Sequence, residues 1–157
     1  VADILMDGNI RISWVTSIAN TAAPTVAELN AGIALETFVT PDGYKISTSD
    51  DKVDTSVLNS TDNTFVPGRR SDDIAITFKH QGDASAPWTT LSGRPSGFIV
   101  ERTSIASSTA WATSQKVRVF PVTASNRQKQ ERSANEVEKF ACDFFKTGPA
   151  VDSATTA

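Results

Sequence analysis

Period-two alternation of apolar side chains is the feature that most limits what this chain can fold into. Successive side chains on a strand point to opposite faces, so residues at i, i+2 and i+4 line one side. Ile10, Ile12 and Trp14 alternate with Arg11 and Ser13, and Ile74, Ile76 and Phe78 with Ala75 and Thr77. Near the end, Phe140, Cys142 and Phe144 alternate with Ala141 and Asp143. Phe98–Val100 and Val117–Val122 add two apolar runs rich in residues that suit a pleated surface. At least five strands are therefore predicted, with Ile33–Val39 and Val53–Leu58 as two further candidates. The chain has 157 residues, enough for one domain. At that size folding buries roughly 68–70% of the unfolded surface.

One helix carries its own start signal. Thr25-Val26-Ala27-Glu28 matches a capping box, in which a Thr hydroxyl accepts from the third helical N–H and the Glu reaches back. Gly32 stands where a left-handed residue would end the helix after about two turns. Turn chemistry marks Pro41-Asp42-Gly43, Pro67-Gly68 and the stretch from Gly93 to Gly97. The expected architecture is mainly β, a sandwich or barrel with one short helix.

Two regions depart from compact strand-turn-strand patterning. From Thr40 to Asp73 the chain is polar and rich in Ser, Thr and Asp, predicting a long loop or hairpin of the kind that serves a partner. Ser125 to Glu138 is densely charged and is expected as a second solvated excursion. Residues 150–157 are small and polar and are expected as a flexible tail, leaving 1–149 as the domain. No internal repeat, linker or heptad pattern is present.

The chemistry-bearing residues are few. One His rules out a multi-histidine metal site within a chain, and one Cys rules out an intramolecular disulfide. His80 is expected to be an exposed polar residue, and Cys142 a small buried hydrophobe between Phe140 and Phe144. Asp50, Asp51 and Asp54 cluster, as do Asp72 and Asp73, but without the spacing of a calcium loop. Glycine-rich phosphate cradles and nucleophile elbows are absent. The expectation is a protein that is not an enzyme and has no catalytic residue, metal or cofactor. With 15 Lys+Arg against 18 Asp+Glu, nothing in the overall balance favours a nucleic-acid backbone. The first residues lack a basic signal region, and apolar runs fall far short of the ~18 residues that span a bilayer. A start at Val1-Ala2 suits loss of an initiator Met, so the chain reads as soluble, with no membrane partner. Trp14 shares a strand face with two isoleucines and belongs to the core. Trp88 and Trp111 are assigned to packing or subunit contact, the alternative being a stacking platform for sugars or bases.

Longer stretches carry a resemblance. Ala2-Asp-Ile-Leu-Met-Asp-Gly-Asn-Ile-Arg-Ile-Ser-Trp-Val continues into Ala23-Pro-Thr-Val-Ala-Glu-Leu-Asn-Ala-Gly. With Pro67-Gly-Arg-Arg-Ser, Thr109-Ala-Trp-Ala-Thr-Ser-Gln-Lys-Val-Arg-Val-Phe-Pro-Val and Asn135-Glu-Val-Glu-Lys-Phe, it resembles the major tail tube proteins of siphophages infecting actinobacteria. The resemblance spans Ala2 to about Pro149 and rests on whole pattern, since none of these motifs is catalytic. It implies a tail-tube-type β-sandwich or barrel, whose inner sheets close into one barrel across a hexameric ring. It further implies that rings stack into a hollow tube, the conduit for genomic DNA, in a virion assembled in the host cytoplasm. The implied partners are further copies of the chain, a tape-measure protein, a tail terminator and tail-tip proteins, with DNA in transit unrecognised by sequence.

Within that frame the excursion from Thr40 to Asp73 is the expected inter-ring or inter-subunit contact. Asp50, Asp51, Arg69, Arg70, Asp72, Asp73, Arg127 and Arg132 are the candidate subunit-interface residues. Arg69 and Arg70 either pair with carboxylates of a neighbour or form intramolecular or solvated surface pairs, and both readings stand. A lumen that passes DNA without trapping phosphate is expected to be polar, with neutral to acidic potential. The alternatives are a carbohydrate-binding, adhesin-like β-sandwich and, within phage tails, a terminator or connector ring.

Overall fold

The computed structural model describes residues 1–157. In chain order its elements are β1 (Ile10–Val15), α1 (Val26–Ala31), β2 (Ile33–Ala34), β3 (Val39–Asp54) and β4 (Phe65–Lys79). Then follow α2 (Ala86–Thr90), β5 (Ser96–Thr103), β6 (Lys116–Ala124), β7 (Gln128–Lys129), β8 (Lys139–Lys146) and β9 (Val151–Thr155). The strands form one antiparallel sheet in the order β2-β1-β5-β6-β8-β4-β3, with β7 beside β8 and β9 beside β6. It is mainly β, as the alternation predicts, but the single chain does not close it into a barrel: β3 has a partner on one side only.

The sheet folds over itself at the β6/β8 step. Only Val122–Ala124 of β6 pair with β8, while Lys116–Val119 pair with β9 instead. One limb is therefore β2-β1-β5-β6-β9 and the other β7-β8-β4-β3. The main core lies between them. Ile12, Trp14, Ile99, Phe120 and Val122 face Ile74, Ile76, Phe78, Phe140, Cys142 and Phe144. Burial alternates cleanly on β4 and β8, as the period-two pattern requires. On β1 it does not, because Ser13 and Val15 are buried as well. The reason is a second core on the outer side of the first limb, where Leu29 of α1, Ile18 and Trp111 cover Val15, Val100, Val117, Val119 and Ala154.

Helix α1 starts where the capping signal places it. Thr25 has extended backbone and its hydroxyl accepts from the Glu28 N–H at 3.2 Å. The reciprocal half of the box is not made; Glu28 Oε2 is buried without a hydrogen-bond partner. The next free N–H of the helix start, that of Val26, donates to the carbonyl of Ala157. Gly32 has φ −74, so left-handed geometry is not its reason for being glycine. A Cβ there would lie 2.8 Å from the Trp14 carbonyl oxygen, and close approach to β1 is what excludes a side chain. A second short helix, α2, was not predicted: it has Pro within its first positions and a Ser85 that makes no side-chain cap.

Other expectations are narrowed or changed. Of the loop or hairpin expected from Thr40 to Asp73, the structure has the hairpin, with arms in β3 and β4 and its turn at 55–64. Pro41-Asp42-Gly43 sits inside β3 at a register shift between Val39 and Tyr44, and Pro67-Gly68 sits inside β4. The proposed flexible tail contains β9, which is paired with β6, and Ala154 and Thr156 are buried. Of the two extra candidates, Ile33–Val39 divides into β2, a turn and the start of β3; Val53–Leu58 contributes only Val53 and Asp54 to a strand.

Candidate assembly surfaces

The long hairpin is the feature on which a function can be built. Its base, Tyr44–Ile46 against Ile74–Ile76, packs on the main core. Beyond Thr48 and Asp72 both faces are exposed, yet the ladder continues to Asp54 and Phe65. The turn is closed by one backbone bond, Thr55 N–H to the Thr64 carbonyl, and by polar side chains: Thr64 N–H donates to the Ser56 hydroxyl and Ser56 N–H to Asp54. At the tip stand exposed apolar groups: Val57 is 61% exposed, Leu58 105% and Phe65 51%, the last with Lys52 Nζ 5.4 Å from its ring centre.

A run of alternating charges anchors the hairpin to the body. Glu101 of β5 lies 3.7 Å from Arg118 of β6, and Arg118 Nη2 donates to Asp152 of β9 at 3.4 Å. Asp152 accepts two hydrogen bonds from Arg70 of β4, whose Nε lies 3.0 Å from Asp72. Asp72 also accepts from Lys146 Nζ at 2.5 Å and from Thr48 Oγ1 at 2.6 Å. Burial works to raise the Asp72 pKa, but the bonds from Lys146, Thr48 and Arg70 outweigh it and hold the carboxyl down at about 2. The hydrogen bond from Arg70 likewise holds Asp152 below the usual carboxylate range, against partial burial. At the other end Tyr44 donates its hydroxyl to Glu101; burial, then the adjacent Glu101 charge, push the phenol far above its ordinary value. Three carboxylates and three cations alternate, so the network carries no net charge into the protein.

The predicted interface residues separate accordingly. Arg70 and Asp72 are paired within the chain. Asp50 lies opposite Arg70 in the ladder, but Asp50, Asp51, Arg69 and Asp73 are exposed and form no salt bridge. Arg127 lies away from the hairpin, its Cζ 3.8 Å above the Trp88 ring and its Nη1 donating to the Trp88 carbonyl. Arg132 pairs with Glu138 in the exposed 130–138 segment. The structure thus brings together two of the eight.

Residues singled out as possible chemistry are built into packing. His80 was expected to be exposed, but its side chain is only 6% accessible. Its ring meets Trp88 edge-on at 4.7 Å, with Nδ1 3.2 Å from Glu138. Cys142 is buried as expected, and loss of water raises its thiol pKa. Trp111 is 5% exposed, with the guanidinium carbons of Arg102 and Arg11 at 5.0 and 5.1 Å from its ring. Arg102 was not singled out from sequence. It is wholly buried, and its guanidinium donates to the carbonyls of Ala106, Thr109 and Ala110 and to Gln115 Oε1. That holds the 104–115 loop over the second core; only its place on a strand facing that core distinguishes it. No cluster of His, Cys, Asp or Glu is arranged to hold a metal, and no helix is long and apolar enough to cross a membrane.

A family profile described as phage tail tube protein matches residues 1–157. The chain belongs to the phage tail tube protein family. This tail tube protein is similar in fold to a chain of the anti-feeding prophage baseplate, determined by cryo-electron microscopy with six-fold symmetrisation. The TM-score is 0.63 and the identity 7%, with 96% of this chain and 97% of that one covered. It is also similar to a chain of the native gene transfer agent virion, with TM-score 0.55 and 12% identity over 96% and 98%. A search among curated proteins finds no match. The tail tube family is structural and not a family of enzymes, and this tail tube protein is a virion component.

Proposed function

We propose that the tail tube protein polymerises as hexameric rings stacked into the hollow tail through which genomic DNA leaves the virion. The observation that carries this reading is the free edge of β3. It is a strand of 16 residues, Val39–Asp54, hydrogen-bonded to β4 alone. A long unpaired edge is a template for another strand, and closing it across six subunits removes the exposed edge altogether.

The outer face of the β7-β8-β4-β3 limb supports a lumen wall. Lys45, Ala75 and Asp143 form one row across it, Ser47 and Asp73 a second, and Thr77 and Ala141 a third. Lys79 and Lys139 stand at one end, and Phe145, 64% exposed, extends the same face of β8. A surface of small and polar groups with both charge signs gives phosphate no basic track to bind. Ring-to-ring contact falls to the projecting hairpin, with Asp50, Asp51 and Arg69 free to pair across it. Tape-measure, terminator and tip proteins are the partners such a tube needs.

The carbohydrate-platform alternative has no platform: Trp111 is buried, and Trp88 packs on Phe140 beneath Arg127. Electron microscopy of the purified chain at rising concentration tests the proposal. Hollow tubes or six-fold rings are expected. A chain that stays monomeric at every concentration, with antibodies to it failing to decorate tails, overturns it; a single ring that never stacks points to a terminator.

A further inference from the structure

The chain has two Asp-Gly steps, Asp7-Gly8 and Asp42-Gly43, and the fold treats them in opposite ways. At such a step an aspartyl side chain can meet the next backbone nitrogen, because glycine puts no side chain in the way. Met6–Asn9 form a turn closed by the Asn9 N–H on the Met6 carbonyl at 3.3 Å, with Gly8 at φ +73 in its third position. Asp7 and Gly8 are exposed, and apart from chain neighbours no atom lies within 4 Å of where a Gly8 Cβ would stand. The Gly8 N–H donates no hydrogen bond. Its carbonyl accepts from the Ser107 N–H at 2.8 Å, and the Asn9 carbonyl from Ser104 at 3.1 Å. Asp42-Gly43 instead lies within β3, where Gly43 is buried. A Cβ there would fall 2.2 Å from Thr40 Oγ1 and 2.7 Å from the Thr77 carbonyl oxygen, so packing fixes that backbone.

We propose that Asp7 is a site of spontaneous backbone modification, an aspartate that isomerises to isoaspartate in the folded protein while Asp42 does not. The Gly8 nitrogen attacks Cγ of the protonated Asp7 carboxyl group. An N–Cγ bond forms, the carboxyl hydroxyl leaves with the amide hydrogen as water, and a succinimide results. Water then opens one of its two carbonyls. Opening at Cγ returns aspartate. Opening at the main-chain carbonyl breaks its bond to the Gly8 nitrogen, so the chain runs through Cβ and Cγ and a free α-carboxylate is left. The water lost is the water regained, and no oxidant or second substrate is needed. The product has one more main-chain atom between Asp7 Cα and the Gly8 nitrogen. A turn lengthened in this way cannot keep the Asn9 N–H on the Met6 carbonyl. The arm from Val1 to Met6 loses that anchor, whereas Gly8 and Asn9 stay tied to Ser107 and Ser104. Leu5 and Met6 line a cavity of about 520 Å³ with Pro41 and Tyr44, and isomerisation opens that wall. The inference stands apart from assembly and does not depend on it.

Peptide mapping of the purified full chain tests it. The protein is kept at mildly acidic pH, folded in one sample and unfolded in urea in another, until the unfolded sample carries isoaspartate at both steps. Trypsin then places Asp7 in the peptide Val1–Arg11 and Asp42 in Ile12–Lys45, so each step is read separately. Isoaspartate is scored by methyl transfer from S-adenosylmethionine with an isoaspartyl carboxyl methyltransferase, and fragmentation separates position 7 from Asp3. In the folded sample the first peptide is expected to be modified and the second not. Asp7→Glu, which would need a six-membered ring, is expected to lose the signal with an unchanged melting temperature. Amide exchange at Asn9 is expected to accelerate in the isomerised fraction, and exchange at Ser104 and Ser107 to stay as it was. Isoaspartate at Asp42 in the folded sample, none at Asp7, or a signal that survives Asp7→Glu overturns the proposal. An Asn9 amide that exchanges alike before and after isomerisation overturns the loss of the arm's anchor. None of these outcomes bears on the tube reading.

Discussion

Arg70, near the base of the projecting hairpin, is held by Asp152 of the C-terminal strand in a two-point clasp, Nη1 to Oδ2 at 2.5 Å and Nη2 to Oδ1 at 3.0 Å. The two residues are 82 positions apart in sequence, so the clasp joins the end of the chain to the element proposed to carry assembly. Parallel hydrogen bonds fix direction as well as distance. The clasp therefore sets the angle at which the hairpin leaves the body.

Asp152→Asn is expected to lower stability by only about 0.5–1 kcal/mol, since both partners are partly exposed. For a domain of this size that is a fall in melting temperature of roughly 1–4 °C. The larger effect is local: amide exchange in β3 and β4 beyond Thr48 should accelerate while the main core stays protected. An unchanged exchange pattern would show that the ladder alone orients the hairpin.

Acid should weaken the same connection. The folded-state pKa of Asp72 is about 2, below the ~3.9 of an unfolded chain. The stabilisation is fully present above about pH 4 and is lost as pH falls through about 2. Asp72→Asn is expected to flatten the stability profile across that window, measured by denaturant unfolding at successive pH values. A variant that loses stability in acid as steeply as the parent would assign the acid response to other carboxylates.

Gly97 of β5 lies against Trp14, and a Cβ added there would fall 2.7 Å from the indole Cζ2 and 2.9 Å from the Val15 carbonyl oxygen. Neither the core indole nor the paired backbone has room to withdraw. Gly97→Ala is therefore expected to destabilise by about 1–3 kcal/mol through overpacking. A melting temperature equal to that of the parent would show that the sheet relaxes around the methyl group.

Cys142 is 1% exposed, between Phe140 and Phe144 in the core, and its thiol pKa is raised by burial. Thiol reagents such as dithionitrobenzoate should fail to label the native protein and should titrate one group after denaturation. Rapid labelling under native conditions would mean that β8 opens locally far more often than its buried face suggests.

Tertiary structure altered the sequence reading at particular places. The polar stretch from Thr40 to Asp73 reads as loop or hairpin, with no strand bounds, because strand signals depend on burial and the outer half of this hairpin buries neither face. Its order comes from cross-strand hydrogen bonds, which any backbone can make and which leave little mark on composition. His80 was misjudged for a related reason: α2 and β8 place Trp88 and Phe140 around it. No local pattern announces that.

The sequence by itself determined the β class, the five principal strands, the start of α1 and the family. Alternation reports which face of a strand avoids water, capping reports the free N–H groups of a helix start, and both are local. Only tertiary structure decided that Ser13 and Val15 are covered by a second core, that residues 151–155 form a strand, and that Arg70 meets Asp152. These relations depend on segments far apart in the chain, and their partners are settled by how the sheet folds at β6 and β8.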